Sequence, residues 1–359
     1  MTPLLGTIDR YVMRAVLSGV AMVALVLLSL GTLFLLLGEQ NDIGVGRYTA
    51  LRAMLFVLLS LPQQVWDLLP ISALIGALFG LGTLARGSEL TVMRAAGLSI
   101  WRIARGVAAA GVLLVLLAIA LGEWLAPPLQ QLARQQKAFD KLADVSVAAY
   151  GDTWIRDGNL IVNVERASTA RRHPGMTIYE LSDDNRLQSV GRAVAAELDA
   201  NGVWVLEQYA ESRYDGDTVQ TRRVASQPLA SGLSAEFIAI AASSPGQLPT
   251  MALSRMVAHL ESNGLDAREA VFAMWSRIAR TAAIFFAVLL ALPFVFGSLR
   301  AAGAGARVAT GLVLGIGFFL LQRMLESGAL VFGGPPILLA WVPTLLMAAV
   351  VITFILRAR

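Results

Sequence analysis

The side chains that most often carry catalysis are scarce in this chain of 359 residues. It has no cysteine, which excludes thiol catalysis, disulfides and cysteine-bound metals. The two histidines, His173 and His259, lie far apart and lack the H-x-x-x-H spacing of a zinc site. Neither of the two lysines follows a glycine, so the chain has no phosphate-binding loop of the Gly-Lys-Ser/Thr type. We therefore predict no catalytic residue, no cofactor and no metal site, and expect any driving energy to come from a partner.

Residues 88–97 have the composition of a short docking helix. Ser88 suits the N-cap, Glu89 suits the first turn, and Gly97 suits the position after the helix end. The two turns between these caps place Leu90 and Met93 on one side. We expect this helix to dock into a groove on a cytoplasmic ATPase. The alternative is an interfacial helix whose basic residues contact lipid head groups.

A pair of cations follows an apolar segment in the first half of the chain. Arg134 and Lys137 are three residues apart, so a helix would carry both on one face. Such a face at the membrane surface could bind anionic lipid groups. The alternative is a pair of side chains that only snorkel to the interface.

The elements that position these residues are membrane spans. The chain is 56% hydrophobic and 15% charged, with a mean hydropathy of +0.65, which argues against a wholly soluble protein. Crossing a bilayer core of about 30 Å takes about 20 helical residues. Six segments without charged residues approach this length: 15–38, 68–85, 106–122, 281–299, 308–322 and 337–356. Residues 53–66 are also apolar but contain Pro62, so we expect an interfacial helix or a bent outer extension of the second span.

Arginines set the predicted orientation. Ten of them lie at one end of the spans, within residues 10–14, 86–105, 300–307 and 357–359. The segments at the opposite end hold mixed charges, among them Glu39, Asp42, Arg47 and Arg52. The positive-inside rule then places both termini and the loop 86–105 in the cytoplasm.

Residues 128–268 differ from the spans because they are polar and alternate with period two. Strand-like runs occur at 154–156, 160–165, 176–181, 202–208 and 218–224, with turn signals at 157–159, 183–185, 201–202 and 215–217. We predict an antiparallel β domain of sandwich or jelly-roll type, with flanking helices, on the outer face of the membrane. The predicted organisation is a first transmembrane triad (1–127), this domain (128–268) and a second triad (269–359).

Several segments, taken in order, give the chain a family resemblance. They are IDRYV at 8–12, PISALIGALFGLG at 70–82, SELTVM at 88–93 with Gly97, GEWLAP at 122–127, FGSLR at 296–300 and GPPI at 334–337. With these segments and its three-plus-three arrangement, the chain resembles the lipopolysaccharide export permeases of the YjgP/YjgQ family over essentially its whole length. DRY at 9–11 and GEW at 122–124 favour the LptG branch over the paralogous LptF branch.

The resemblance implies a non-catalytic permease subunit of an ABC transporter in the inner membrane of a Gram-negative bacterium. Such a subunit pairs with an LptF-like permease, and an LptB-like ATPase dimer that binds the ATP drives both. An LptC-like single-span protein can join them. The complex extracts lipopolysaccharide from the inner membrane, and periplasmic β-jelly-roll domains pass it to a bridge toward the outer membrane.

Three other interpretations remain open at this stage. The chain could be the LptF-like partner or another lipid- or lipoprotein-releasing permease. It could be a lipid-modifying transferase that uses Glu123 and Asp140. It could also be a scaffold whose β domain only binds proteins.

The resemblance also implies site residues. It places ATPase coupling on Ser88, Glu89, Leu90, Met93 and Gly97, with Glu89 contacting the ATPase. The expected head-group cations are Arg134, Lys137, Arg47 and Arg52, and the expected lining of the lipid cavity is Leu27, Leu30, Phe34, Leu68, Ile316 and Phe319. Some relatives carry lysines near the outer end of the first span, where this chain has Glu39 and Asp42. Either the head group differs, or the four cations carry more of the contact.

Overall fold

The chain forms two compact units in a computed structural model that describes residues 6–142, 153–164, 172–173, 175–182, 184, 186–199, 203–215, 218–229, 245–296, 304–328 and 334–357. The helical unit comprises Met1–Lys141 and Val271–Arg359, and the β unit comprises Leu142–Ala270. The β unit is therefore inserted between two sets of helices.

Long helices make up the helical unit. In chain order the helices before the β unit are α1 (Thr7–Glu39), α2 (Ala50–Arg86), α3 (Glu89–Ala95), α4 (Ile100–Ile119) and α5 (Ala126–Leu142). A π-helical segment, Ala120–Leu125, joins α4 to α5. After the strands follow α6 (Thr250–Ser262), which lies within the β unit, and then α7 (Arg268–Phe296), α8 (Ala304–Gly328) and α9 (Pro336–Arg357).

Among the described residues, five helical segments are long and apolar enough to cross a membrane. They are Thr7–Asp42, Ala50–Arg86, Ile100–Lys137, Arg268–Phe296 and Pro336–Arg357. These segments contain four of the six predicted spans and residues 281–296 of the span predicted at 281–299, whose last three residues lie outside the described part. The sixth, 308–322, lies within α8 and stays a prediction as a span. Residues 53–66 are not a separate interfacial helix, because they form the first part of α2. With 37 residues, α2 is about 55 Å long, more than a bilayer core requires.

Glycines let α1 and α2 approach closely. A Cβ built on Gly19 would lie 2.3 Å from the Gly76 carbonyl oxygen, and one on Gly80 would lie 2.2 Å from the Ala15 carbonyl oxygen. Small residues allow this backbone approach inside membranes, where packing replaces hydrophobic burial as the driving force. Because α1 and α2 run antiparallel, the unit has an α3 end, where α1 begins and α2 ends, and an α5 end, where α1 ends and α2 begins.

The β unit contains an eight-stranded antiparallel sheet among the described residues. Its strands are β1 (Thr153–Asp157), β2 (Leu160–Val164), β3 (Arg172–His173), β4 (Met176–Leu181), β5 (Leu187–Ala193), β6 (Ala195–Leu198), β7 (Trp204–Asp215) and β8 (Thr218–Pro228). The order is β1-β2-β4-β5-β7-β6-β3, and β8 pairs with β7. The predicted antiparallel β domain is confirmed. Gly158 (φ 58°) lies in the predicted β1–β2 turn, whereas residues 183, 185, 201–202 and 216–217 lie outside the described part.

The long strand β7 pairs with both β5 and β6 on one side. These two short strands form one bent strand that is interrupted at Val194, whose N–H donates to the Glu207 carbonyl at 3.0 Å. Next to this bend, the Tyr209 ring covers Gly191, where a Cβ would lie 1.8 Å from the phenol oxygen. Burial raises the pKa of the Tyr209 phenol to about 12.

Candidate functional site

Two residues with left-handed backbone bracket α3. Ser88 (φ 58°) occupies the predicted N-cap position, although its side chain makes no capping hydrogen bond. Gly97 (φ 88°) follows the C-cap residue Ala96, as expected for a glycine after a helix end. Ser88 is strained, because a residue with a Cβ seldom adopts this conformation. The helix is therefore a discrete element between two sharp joints.

The side of α3 that carries Leu90 and Met93 faces the protein. Leu90 is 3% exposed and belongs to the core that also contains Leu84 and Ile103, and Met93 packs against this core. Both side chains therefore anchor α3 to the core. They do not form the free docking face that we predicted from the sequence. The outward side consists instead of four exposed residues: Thr91, Val92, Arg94 and Ala95.

Glu89 is already engaged within the chain. Its Oε2 accepts a hydrogen bond of 2.6 Å from the Tyr11 hydroxyl of α1. Two residues earlier in α1, Asp9 is fully buried and accepts hydrogen bonds from the Gly6 N–H at 2.9 Å, from Arg102 Nε at 3.3 Å and from Arg105 Nε at 3.1 Å. The first turns of α1 are thus bonded to both α3 and α4. The IDRYV segment contains Asp9 and Tyr11, but nothing in its spacing indicated these partners.

At the α5 end, the acidic end of α1 pairs with two lysines of α5. Lys137 Nζ lies 2.7 Å from Glu39 Oε1 and 2.9 Å from Asp42 Oδ2, and Lys141 Nζ lies 2.6 Å from Asp42 Oδ1. Glu39 Oε2 also accepts a 2.6 Å hydrogen bond from the Tyr48 hydroxyl. Burial and the neighbouring Glu39 raise the pKa of this phenol. Glu39 and Asp42 therefore hold Lys137 and Lys141 in place.

The four predicted head-group cations fall into two classes. Lys137 is paired as described, and Arg52 Nε lies 3.6 Å from Asp140 Oδ2, beyond hydrogen-bond distance. Arg47 and Arg134 are exposed, and neither side chain makes an ion pair within the described part of the chain. The backbone N–H of Arg47 donates to the Asp140 carbonyl at 2.7 Å, which brings the loop before α2 against α5. The structure thus gathers all four cations at the α5 end.

The predicted lipid-cavity residues lie on three helices. Leu30 and Phe34 of α1 and Ile316 of α8 are exposed, whereas Leu27 and Leu68 are half-buried. The Phe319 side chain lies outside the described residues. Leu68 of α2 lies opposite Gly31 of α1: a Cβ built on Gly31 would be 3.6 Å from Leu68 Cδ1. On α8, a Cβ on Gly315 would be 2.6 Å from Ile71 Cγ1 of α2, so α8 also packs against α2.

A third cluster was missed at the sequence level. Arg277 and Arg280 of α7 both lie over the Trp66 ring of α2, with guanidinium carbons 4.4 and 4.5 Å from its centroid. Arg277 Nε lies 2.9 Å from Glu123 Oε1, and Arg277 Nη2 donates a hydrogen bond to the Gly122 carbonyl. Arg280 Nη2 lies 3.0 Å from Asp67 Oδ1. Glu123 and Asp140, the carboxylates considered for a transferase, thus lie near different arginines. The π-helical segment at 120–125 meets α2 and α7 at this cluster.

Comparison with known proteins identifies the family to which the chain is similar. The sequence model of the family described as "Lipopolysaccharide export system permease LptF/LptG" matches residues 10–357. The lipopolysaccharide export system permease protein LptG of Escherichia coli (strain K12) is 34% identical over 345 residues, which cover 94% of this chain and 95% of that protein. LptG of Haemophilus influenzae is 28% identical over 357 residues, or 99% of this chain and 100% of that protein.

Proposed function

Because the chain belongs to the lipopolysaccharide export permease family LptF/LptG and is an inner-membrane permease subunit of that system, we propose that it uses the energy of a separate cytoplasmic ATPase to extract lipopolysaccharide. ATP is bound by that partner, an LptB-like dimer. The other proposed partners are an LptF-like permease, which completes the transmembrane part, and an LptC-like single-span protein. The β unit lies in the periplasm and passes the lipid to a bridge toward the outer membrane.

The helix α3, which we call the coupling helix, carries this proposal. Among the described residues, α3 is a two-turn helix between two membrane-crossing helices, held to the core by Leu90 and Met93. Its outward side offers the apolar residues Val92 and Ala95 and the cation Arg94. A rigidly anchored helix with a free outer side can receive a push from an ATPase and transmit it to the spans. Ser88, Glu89 and Gly97 fix its position and ends.

The α5 end supplies the proposed contacts to the lipid. The cations Arg134 and Arg47 are open to phosphates of the head group, and Lys137 and Arg52 can join them. The exposed side of α1 with Leu30 and Phe34, together with Leu27, Leu68, Ile316 and Phe319, receives acyl chains. If the α5 end lies on the periplasmic side, both termini and α3 are cytoplasmic.

A charge on the outer side of α3 tests the ATPase contact. Val92 is 64% exposed, so Val92→Asp leaves the core intact but places a carboxylate in the proposed interface. We expect the amount of ATPase that co-purifies with the permease from membranes to fall by about tenfold, since an unpaired buried charge costs more than 1.4 kcal/mol. Lipopolysaccharide should co-purify with the wild-type complex.

Val219→Asp is the matched control. Val219 lies on β8 and is 57% exposed, so the same substitution there changes the charge and the hydrophobicity equally. Co-purification with the ATPase should match the wild type for this variant. Full ATPase recovery with Val92→Asp would refute docking at α3.

A further inference from the structure

We infer that Tyr11 is a positioning residue that connects the coupling helix to the first span through its hydrogen bond to Glu89. This inference rests on the proposed function, because it assigns a route for the movement that an ATPase would impose on α3. The distance of 2.6 Å between the Tyr11 hydroxyl and Glu89 Oε2 is that of a strong bond to a charged acceptor.

The bond adds a direct contact between α3 and α1, two segments that are far apart in sequence. Glu89 directly follows the left-handed residue Ser88, and α3 ends before the left-handed Gly97. The chain connects α3 to α2 through residues 87–88 and to α4 through residues 96–99, whereas the Tyr11 bond reaches α1, 78 residues away in sequence. A shift of α3 that keeps this bond must move the start of α1.

The start of α1 is also held rigidly to α4. Asp9 lies just over half a helical turn before Tyr11, is fully buried, and pairs with Arg102 and Arg105 at 3.3 and 3.1 Å. A Cβ on Gly106 would lie 2.9 Å from the Asp9 carbonyl oxygen, so the two helices are in close contact. The Asp9 ion pairs and the Tyr11 bond together make α1, α3 and the first turns of α4 move as one body.

Glu89 can serve two contacts at once. The carboxylate has two oxygens, and the Tyr11 hydroxyl occupies Oε2. Oε1 remains for a cationic or N–H donor on the ATPase. Tyr11 therefore fixes the rotamer of Glu89 and also passes its displacement to α1, which carries the exposed apolar side with Leu30 and Phe34.

The test is lipid release per ATP hydrolysed in proteoliposomes that contain the complete complex, lipopolysaccharide and a soluble lipid-binding acceptor. Tyr11→Phe removes only the hydroxyl. We expect it to lower the ratio of lipid released to ATP hydrolysed by about five- to tenfold, as loss of a hydrogen bond to a charged group predicts. Recovery of the ATPase with the permease should stay at the wild-type level, which a general folding defect would not allow.

Substitutions of Glu89, which accepts the hydrogen bond from Tyr11, distinguish this link from a merely structural role of Tyr11. Glu89→Gln keeps one oxygen that can accept the hydrogen bond from the Tyr11 hydroxyl, so it should lower the ratio of lipid released to ATP hydrolysed less than Glu89→Ala, which removes both oxygens. The double variant Tyr11→Phe/Glu89→Ala should be no worse in this ratio than Glu89→Ala alone. Tyr214→Phe is the matched control, because Tyr214 is 44% exposed and Tyr11 is 45% exposed.

A measurement that needs no transport separates the two proposals. Amide hydrogen exchange over residues 88–97 should increase to the same extent in Tyr11→Phe and Glu89→Ala, and not in Tyr214→Phe, because the bond restrains α3. Unchanged exchange, or a wild-type release ratio for Tyr11→Phe, would overturn the role of Tyr11. A wild-type complex that releases no lipopolysaccharide with ATP, but shows the expected exchange, would overturn the proposed function and leave the link standing.

Discussion

Lys137 shows how a cation predicted to bind substrate is balanced by its own chain. Glu39 and Asp42 face Lys137 and Lys141 at distances of 2.6 to 2.9 Å, so two negative charges meet two positive charges. Lys137 Nζ also lies 4.8 Å from the centroid of the Phe56 ring. An arriving phosphate must compete with these acids for Lys137, whereas Arg134 has no such competitor in the described part of the chain.

Removing one of these acids should strengthen binding of an anionic lipid. Asp42→Asn leaves Lys137 and Lys141 with a single carboxylate and gives the cluster a net positive charge. One unit charge at about 4 Å is worth about 1 kcal/mol in water, so we expect the apparent Kd for lipopolysaccharide to fall by about fivefold at low salt. The gain should shrink as salt is added, because screening shortens the range of the interaction.

Two further variants serve as a control and as an opposite test for this measurement. Asp184→Asn changes the net charge equally but lies in an exposed turn of the β unit, so binding in a detergent titration should not change. Arg134→Gln should weaken binding by a similar factor. If Asp42→Asn binds no more tightly than Asp184→Asn, the acids at the end of α1 do not compete with the lipid.

At the scale of elements, the helices are held by two kinds of contact. Glycines bring α1 and α2 into backbone contact, and the arginines of α7 bind α2 and the π-helical segment around Trp66. A Cβ on Gly122 would lie 2.4 Å from Trp66 Nε1, so this segment also requires a residue without a side chain. π-helical turns recur at functional positions because they displace one residue from the regular helix. Here the displaced turn brings Glu123 to Arg277.

The glycine contact between α1 and α2 gives a stability prediction. A Cβ on Gly76 would lie 2.3 Å from Val20 Cα, and backbone atoms cannot move aside as a flexible side chain can. Gly76→Ala should therefore separate the helices and destabilise the helical unit by about 1–3 kcal/mol. Thermal unfolding of the full chain in detergent would report this as a lower Tm.

Gly38→Ala is the control for this substitution. Gly38 also lies in α1, but no atom would lie within 4 Å of its added Cβ. Alanine favours helices more than glycine, so the Tm should stay the same or rise slightly. An unchanged Tm for Gly76→Ala would show that the α1–α2 contact is less tight than the structure indicates.

At the scale of the whole molecule, local signals predicted most of the fold. Apolar length marked five described helices that are long enough to cross a membrane, and the caps Ser88 and Gly97 marked α3 correctly. Strand-like runs marked β1, β2, β4, β7 and β8 but missed β3, β5 and β6. The orientation of α3 could not be predicted in this way, since two residues on one side do not reveal whether that side meets the core or a partner. Partners far apart in sequence were also missed, such as Tyr11 with Glu89 and Arg277 with Glu123. Those pairs depend on which helices pack together, and periodicity does not contain that information.

The proposed orientation of the whole molecule rests on the distribution of its arginines and can be tested directly. The chain has no cysteine, so a single introduced cysteine is the sole target for a maleimide that cannot cross membranes. Val92 of α3 and Val219 of β8 are both exposed valines. In intact spheroplasts, V219C should react and V92C should not, because the positive-inside rule places α3 in the cytoplasm and the β unit opposite. V92C should react once the membrane is opened with detergent. Labelling of both variants in intact spheroplasts would place α3 and β8 on the same side of the membrane. Docking of a cytoplasmic ATPase at α3 and lipid transfer through a periplasmic β unit could then not both be correct.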